Sequence, residues 1–205
     1  MVAVSALLVA LTGCAADRGG AAPAGGHDPA LPTTLPVMVT EVHAVGTVLQ
    51  LDEDAPQLCL GAIAESYPPQ CGGPEIAGWD WDGVEGEESA SGVTWGAYAV
   101  WGDWDGETVT VTREPILAAL YDPMVEPNAP DPWDPALPEG PLREDEASAL
   151  QSRLEGVVPG LLSSAPVNGR LVVEVRFDDG TLQRAFDERY GEDAVVVIAQ
   201  LRPAD

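Results

Sequence analysis

Two segments of this chain set tryptophan beside carboxylates at a short, repeated spacing: Trp79-Asp80-Trp81-Asp82-Gly83 and Trp101-Gly102-Asp103-Trp104-Asp105-Gly106. With Trp95, five of the six Trp fall between positions 79 and 104. Indole faces flanked by Asp80, Asp82, Asp103 and Asp105 can stack a sugar ring or grip a cationic or polar ligand, because the ring face is electron-rich. Asp-x-Asp-Gly also begins a calcium-binding EF-hand loop, but the remaining ligands, including the Glu at loop position twelve, are missing in both places. The plainer reading, favoured here, is that the rings fill a small barrel and the Asp-Gly pairs make its turns.

Cys59 and Cys71 stand twelve apart, one in an apolar run and one beyond Pro68-Pro69. In a compartment that permits disulfides they are expected to pair and close the intervening loop, contributing about 2–3 kcal/mol in the chain-entropy picture. A metal site is the rival, yet no His or third Cys lies near them, so no metal or other cofactor is expected. His43 lies in the first strand and reads as structural rather than as a base, and His27 as a solvated residue. Glu85-Gly86-Glu87-Glu88 reads as a solvated acidic loop. The chain contains no Gly-x-Ser-x-Gly, no His-Glu-x-x-His and, having no Lys, no Ser-x-x-Lys. That argues against hydrolase chemistry, although paired carboxylates alone can serve a glycosidase.

Residues Met1–Leu11 are uncharged and apolar, too short to span a bilayer but the length of a signal-peptide core. Leu11-Thr12-Gly13-Cys14 resembles the bacterial lipobox, which implies diacylglyceryl transfer to Cys14 and cleavage before it. No Lys or Arg precedes the apolar core, a departure from the usual pattern that a start codon placed too far downstream would explain. Two acyl chains hold a protein stably where one does not.

The chain carries nine Arg, no Lys and 34 Asp and Glu, a formal net charge of −25. Such a polyanion repels nucleic acid, whose binding requires cations against phosphate. Its apolar share of 45% is that of a globular chain. No apolar run is long enough for a transmembrane helix. The leader (1–13) is followed by a stretch rich in Ala, Gly and Pro (14–36) that reads as a flexible tether. Seven Pro occupy the twenty positions of Asp122–Pro141, a second linker through which neither helix nor central strand can run. Trp133 within it is expected to pack on a neighbouring surface.

These breaks leave an all-β domain (37–121) and an α/β domain (142–205). In the first, Val37–Gln50 alternates loosely around Gly46, and apolar runs follow at Leu58–Ala64, Ile76–Trp81, Val93–Trp101 and Thr108–Thr112. Asp105-Gly106 between the last two marks a hairpin. Five strands with a glycine-bent first one suggest a small closed barrel of the oligonucleotide/oligosaccharide-binding (OB) kind. In the second, Leu142, Ala147, Leu150 and Leu154 follow helical spacing up to Gly156. Leu171, Val173, Val175 and Phe177 alternate as a strand; Leu182, Ala185, Phe186 and Tyr190 return to helical spacing, with a hairpin opened by Asp179-Gly180 as the alternative; Ala194–Leu201 is a strand apolar on both faces. The expected class is α+β, with the barrel followed by an α-β-α-β unit.

The string LCLG, SYPPQCGGP, GWDW, SGVTWGAYAVWG and DWDG between Leu58 and Thr112 resembles uncharacterised lipoproteins of actinobacteria. The resemblance implies an envelope location and carries no activity or catalytic residue. The sequence therefore points to a lipid-anchored binding or interaction module on the extracytoplasmic face of the cell membrane. Its expected ligand is an envelope protein, a wall glycan or a divalent cation; the alternatives are a secreted carbohydrate-active enzyme using acids near the Trp cluster and a purely structural spacer.

Overall fold

The computed structural model describes residues 31–37, 41–122, 131–134 and 136–204. Five strands close a barrel: β1 (Val42–Leu51), β2 (Gln57–Cys59), β3 (Glu75–Ala77), β5 (Val93–Trp104) and β6 (Thr108–Val111). Their order, β1-β2-β3-β6-β5, returns to β1; β3 and β6 are parallel and every other neighbouring pair is antiparallel. Strand β1 meets β5 from Val42↔Gly102 to Leu51↔Val93. The period of two puts Val42, Ala44 and Val48 inward against Tyr98, Val100 and Trp104, and turns Val45 and Ala97 outward. Gly46 belongs where β1 turns between partners: a Cβ there would stand 2.8 Å from the Cys59 carbonyl oxygen. Short strands β4 (Glu88–Ala90) and β7 (Ile116–Leu117) both add to β5.

The C-terminal half runs α1 (Glu144–Leu154), β8 (Leu161–Val167), β9 (Arg170–Phe177), α2 (Thr181–Tyr190) and β10 (Val195–Pro203). The expected α-β-α-β order thus gains a strand, β8, on the far edge of the sheet. Its residues alternate poorly and include Pro166, which an edge strand tolerates. Strand β9, between two neighbours, is the buried one, whereas Val196–Gln200 of β10 is only partly covered. Strands β9 and β10 are parallel through the α2 crossover. Helix α1 buries Ala147, Leu150 and Leu154, and α2 buries Leu182 and Phe186, against Leu171, Val173 and Val175.

The halves share one sheet path, because β10 pairs with the start of β1 through Val42↔Pro203 and His43↔Arg202. Phe177 and Leu201 join the barrel core. The expected tether through Pro36 ends earlier than its composition suggests. Leu35 packs on the barrel core, Leu31 on the helix-and-sheet core, and the Pro36 carbonyl accepts the Trp104 indole N–H at 3.2 Å. These two leucines are the large apolar side chains in an otherwise small-residue stretch, and burial of either opposes tether freedom. Residues 137–140 of the second linker are also docked. Asn168 Nδ2 donates to the Leu137 carbonyl, Arg170 to that of Pro138, and the Gly140 N–H to that of Asn168. Trp133, expected to pack, is 51% exposed. No described helix is long and apolar enough to cross a membrane. Cys14 and His27 lie outside the described residues.

Candidate functional site

The two Trp-Asp segments serve different places rather than one platform. Trp104 is 2% exposed inside the barrel. Trp79 and Trp81, on the connection from β3 to β4, pack edge-on with each other at 5.3 Å, and Trp79 meets the buried Tyr98 at 5.0 Å. The Trp81 indole donates to Gln50 Oε1 at 2.6 Å, and the Tyr98 hydroxyl donates to the Glu85 carbonyl at 3.2 Å. The Trp79 indole N–H is buried without a partner among the described residues. Trp95 lies on the outer wall with Leu49, Val93 and Cys59, covered edge-on by Tyr67. Trp101 lies on another part of that wall, stacked on His43, flanked by Tyr121 and covered by the Arg113 guanidinium.

The carboxylates of the motifs build turns. Asp80 Oδ1 accepts the Asp82 N–H and caps a 3₁₀ turn at Trp81–Gly83. Asp105 accepts the amides of Thr108 and Glu107, which hold its carboxyl below the ordinary range. Asp82 and Asp103 are exposed. Among the described residues no three His, Cys, Asp or Glu converge on a metal position. Cys59 and Cys71 form a disulfide with Cα atoms 5.6 Å apart, within the usual range. His43 Nδ1 is buried with no described partner, so no acceptor orients that ring as a base.

A groove forms beside Trp79 and Asp80 of the expected surface, completed by a segment that sequence reading left aside. Strands β3 and β6 run parallel through Ala77↔Thr110, so the segments that follow them leave the barrel side by side. Residues 83–85 and 114–120, with Tyr98, enclose a depression of about 550 Å³. An adjoining one of about 380 Å³ is bounded by Trp79, Asp80, Val111 and Arg113, and both share Gly83, Val84, Glu114 and Pro115. Ile116 is 40% and Leu120 77% exposed along it. Asp80, Glu85 and Glu114 supply carboxylates, and none of the three is ion-paired among the described residues. The one cation among the described lining residues, Arg113, is paired with Glu41 and lies over Trp101. Burial, together with the negative charge of Glu87, pushes the Tyr98 hydroxyl above its ordinary pKa. Among the described residues the lining holds no Ser, Thr, Cys or His, so they offer no such nucleophile-base pair. The sequence signal was present in Glu114-Pro115-Ile116-Leu117, an acid beside an apolar run after the last expected strand.

A second cleft, of about 340 Å³, lies between Val45, Thr47 and Ile63 of the barrel side and Glu174 and Gln200 of the other half. Its one carboxylate, Glu174, accepts the Ser163 hydroxyl at 2.8 Å. No family, curated protein or solved structure matches this chain.

Proposed function

We propose that this chain is a lipid-anchored, extracytoplasmic binding module, built on an OB-like barrel, that holds its ligand in the groove between residues 78–85 and 113–120. The observation that carries the reading is a groove with an apolar lining and three carboxylates, but no nucleophile, His or metal cluster among the described residues. Such a lining binds and orients, and its described residues lack the Ser, Thr, Cys or His of a nucleophile-base pair. The disulfide is consistent with an oxidising compartment. The net charge of −25 sets the barrel apart from those that bind oligonucleotides. Leu11-Thr12-Gly13-Cys14 supplies the anchor, with Cys14 as the lipidated residue.

Metabolic labelling with palmitate tests the anchor. Label is expected on the wild-type chain in the membrane fraction and lost with Cys14→Ser; unlabelled protein recovered from the cytosol overturns the reading. Glu85 and Glu114 line the same depression, which keeps a glycosidase as the second reading. Release of reducing sugar from cell-wall glycan, abolished by Glu114→Gln, would replace the binding module with that enzyme.

A further inference from the structure

We infer that the groove takes an extended polypeptide segment in which Arg or Lys alternates with apolar side chains. This rests on the binding reading above and adds the ligand's chemistry. Three observations converge on it. The two depressions adjoin through Gly83, Val84, Glu114 and Pro115, so the groove reaches beyond either one alone. A compact ligand such as a metal ion fills neither the length nor the apolar lining. Its lining combines carboxylates with apolar side chains: Asp80, Glu85 and Glu114 with Val84, Ile116 and Leu120. Lys and Arg match that pairing, since their aliphatic stems lie on apolar surface while the charged head reaches a carboxylate. Finally, from Gly19 to Thr112 the chain has 15 acids and no Lys or Arg, so the barrel attracts cations and repels anions over a distance of about a Debye length, ~8 Å in physiological salt.

A neutral glycan donates hydroxyls to the three carboxylates but neutralises none of their charge, and an acidic one is repelled. An apolar partner without charge would have to strip water from Asp80, Glu85 and Glu114 without replacing it. A basic, partly apolar segment meets both demands at once. Ile116 and Leu120 provide the apolar contact that separates docking from diffuse attraction to a polyanion.

The test uses the full chain purified in detergent and three labelled probes: acetylated Leu-Arg-Leu-Arg-Leu-Arg, the same peptide with Ser for Leu, and a neutral N-acetylglucosamine hexamer. Saturable binding of the first is expected, weakened about tenfold by combined Asp80→Asn, Glu85→Gln and Glu114→Gln. A control removing the same charge from the β1–β2 turn, Asp52→Asn, Glu53→Gln and Asp54→Asn, is expected to change it by less than about twofold. Ile116→Ser with Leu120→Ser should weaken the Leu-Arg peptide about threefold and leave the Ser-Arg peptide unchanged. Unchanged thermal melting of each variant keeps misfolding out of the comparison. Equal weakening by the two charge sets, or no saturable peptide binding, overturns the inference. Binding of the hexamer in its place, lost with the groove variants, overturns the peptide while leaving the binding module standing.

Discussion

Gln183 on α2 stands beside Val197 of β10 as a neighbouring strand would. Its Oε1 accepts the Val197 N–H at 2.8 Å, and its Nε2 donates to the Val195 carbonyl at 2.9 Å. A further bond from Nε2 to Asp187 Oδ1, also 2.9 Å, fixes the amide's orientation. Strand β10 needs such a partner because it diverges from β1 beyond His43↔Arg202, leaving the backbone on that side without a strand. Unpaired edge groups invite association with other chains, and a side-chain amide covers them without adding a strand.

Gln183→Leu keeps much of the volume and removes both backbone bonds. The expected loss of stability is about 1–3 kcal/mol, the cost of leaving partly buried donors and acceptors unmade. It is read as a lower urea midpoint with an unchanged slope. Gln183→Glu keeps the acceptor for Val197 but sets a carboxylate against Asp187 and the Val195 carbonyl, and is expected to lower the midpoint at pH 7 at least as far. A midpoint for Gln183→Leu equal to wild type would show that water replaces the amide at no cost.

How far the sequence revealed this architecture depends on where each partner lies. Strands β1, β5 and β6 were legible because their inward residues alternate within one window, and both helices because Leu150, Leu154, Leu182 and Phe186 keep helical spacing. Strand β8 was not, because Pro166 and its polar neighbours read as a loop until β9 is placed beside it. Leu31 and Leu35 were hidden in a stretch whose average composition is that of a linker; only the cores they meet distinguish them. The groove was hidden for a topological reason. It needs residues 78–85 beside 113–120, and only the parallel pairing of β3 with β6 brings them together.

The disulfide carries a second prediction. Cys59 ends β2, and Cys71 packs with it on Leu49, Val93 and Trp95, so the bond fastens the loop between them to the barrel wall. Replacing both with Ala is expected to lower stability by about 2–3 kcal/mol through release of loop entropy in the unfolded chain. In a chain of this size that is roughly 4–12 °C in Tm. Reductant should lower the wild-type Tm by a similar amount and leave the double variant unmoved. A double variant that melts with the wild type would show that packing around Tyr67 and Trp95 alone holds the loop.

Acid should expose a third feature of the fold. The Thr112 hydroxyl, with Arg113, holds the Glu41 carboxyl below its ordinary 4.5; the backbone amides of Thr108 and Glu107 do the same for Asp105, and Thr181 for Asp179, both below 3.8. A carboxyl whose folded pKa lies below its unfolded one contributes stability that is fully present above the unfolded value and lost as pH falls through the folded one. Protonating the remaining acids acts oppositely, by relieving self-repulsion in a chain of net charge −25. Wild type alone therefore does not isolate the term, whereas its difference from Glu41→Gln, Asp105→Asn and Asp179→Asn combined does. That difference in urea midpoint should favour wild type at pH 7, begin to shrink below about pH 4.5, and approach zero in stronger acid, where both proteins are neutral at these positions. A difference that stays constant from pH 7 to acid would mean that these three carboxylates act through packing rather than through charge.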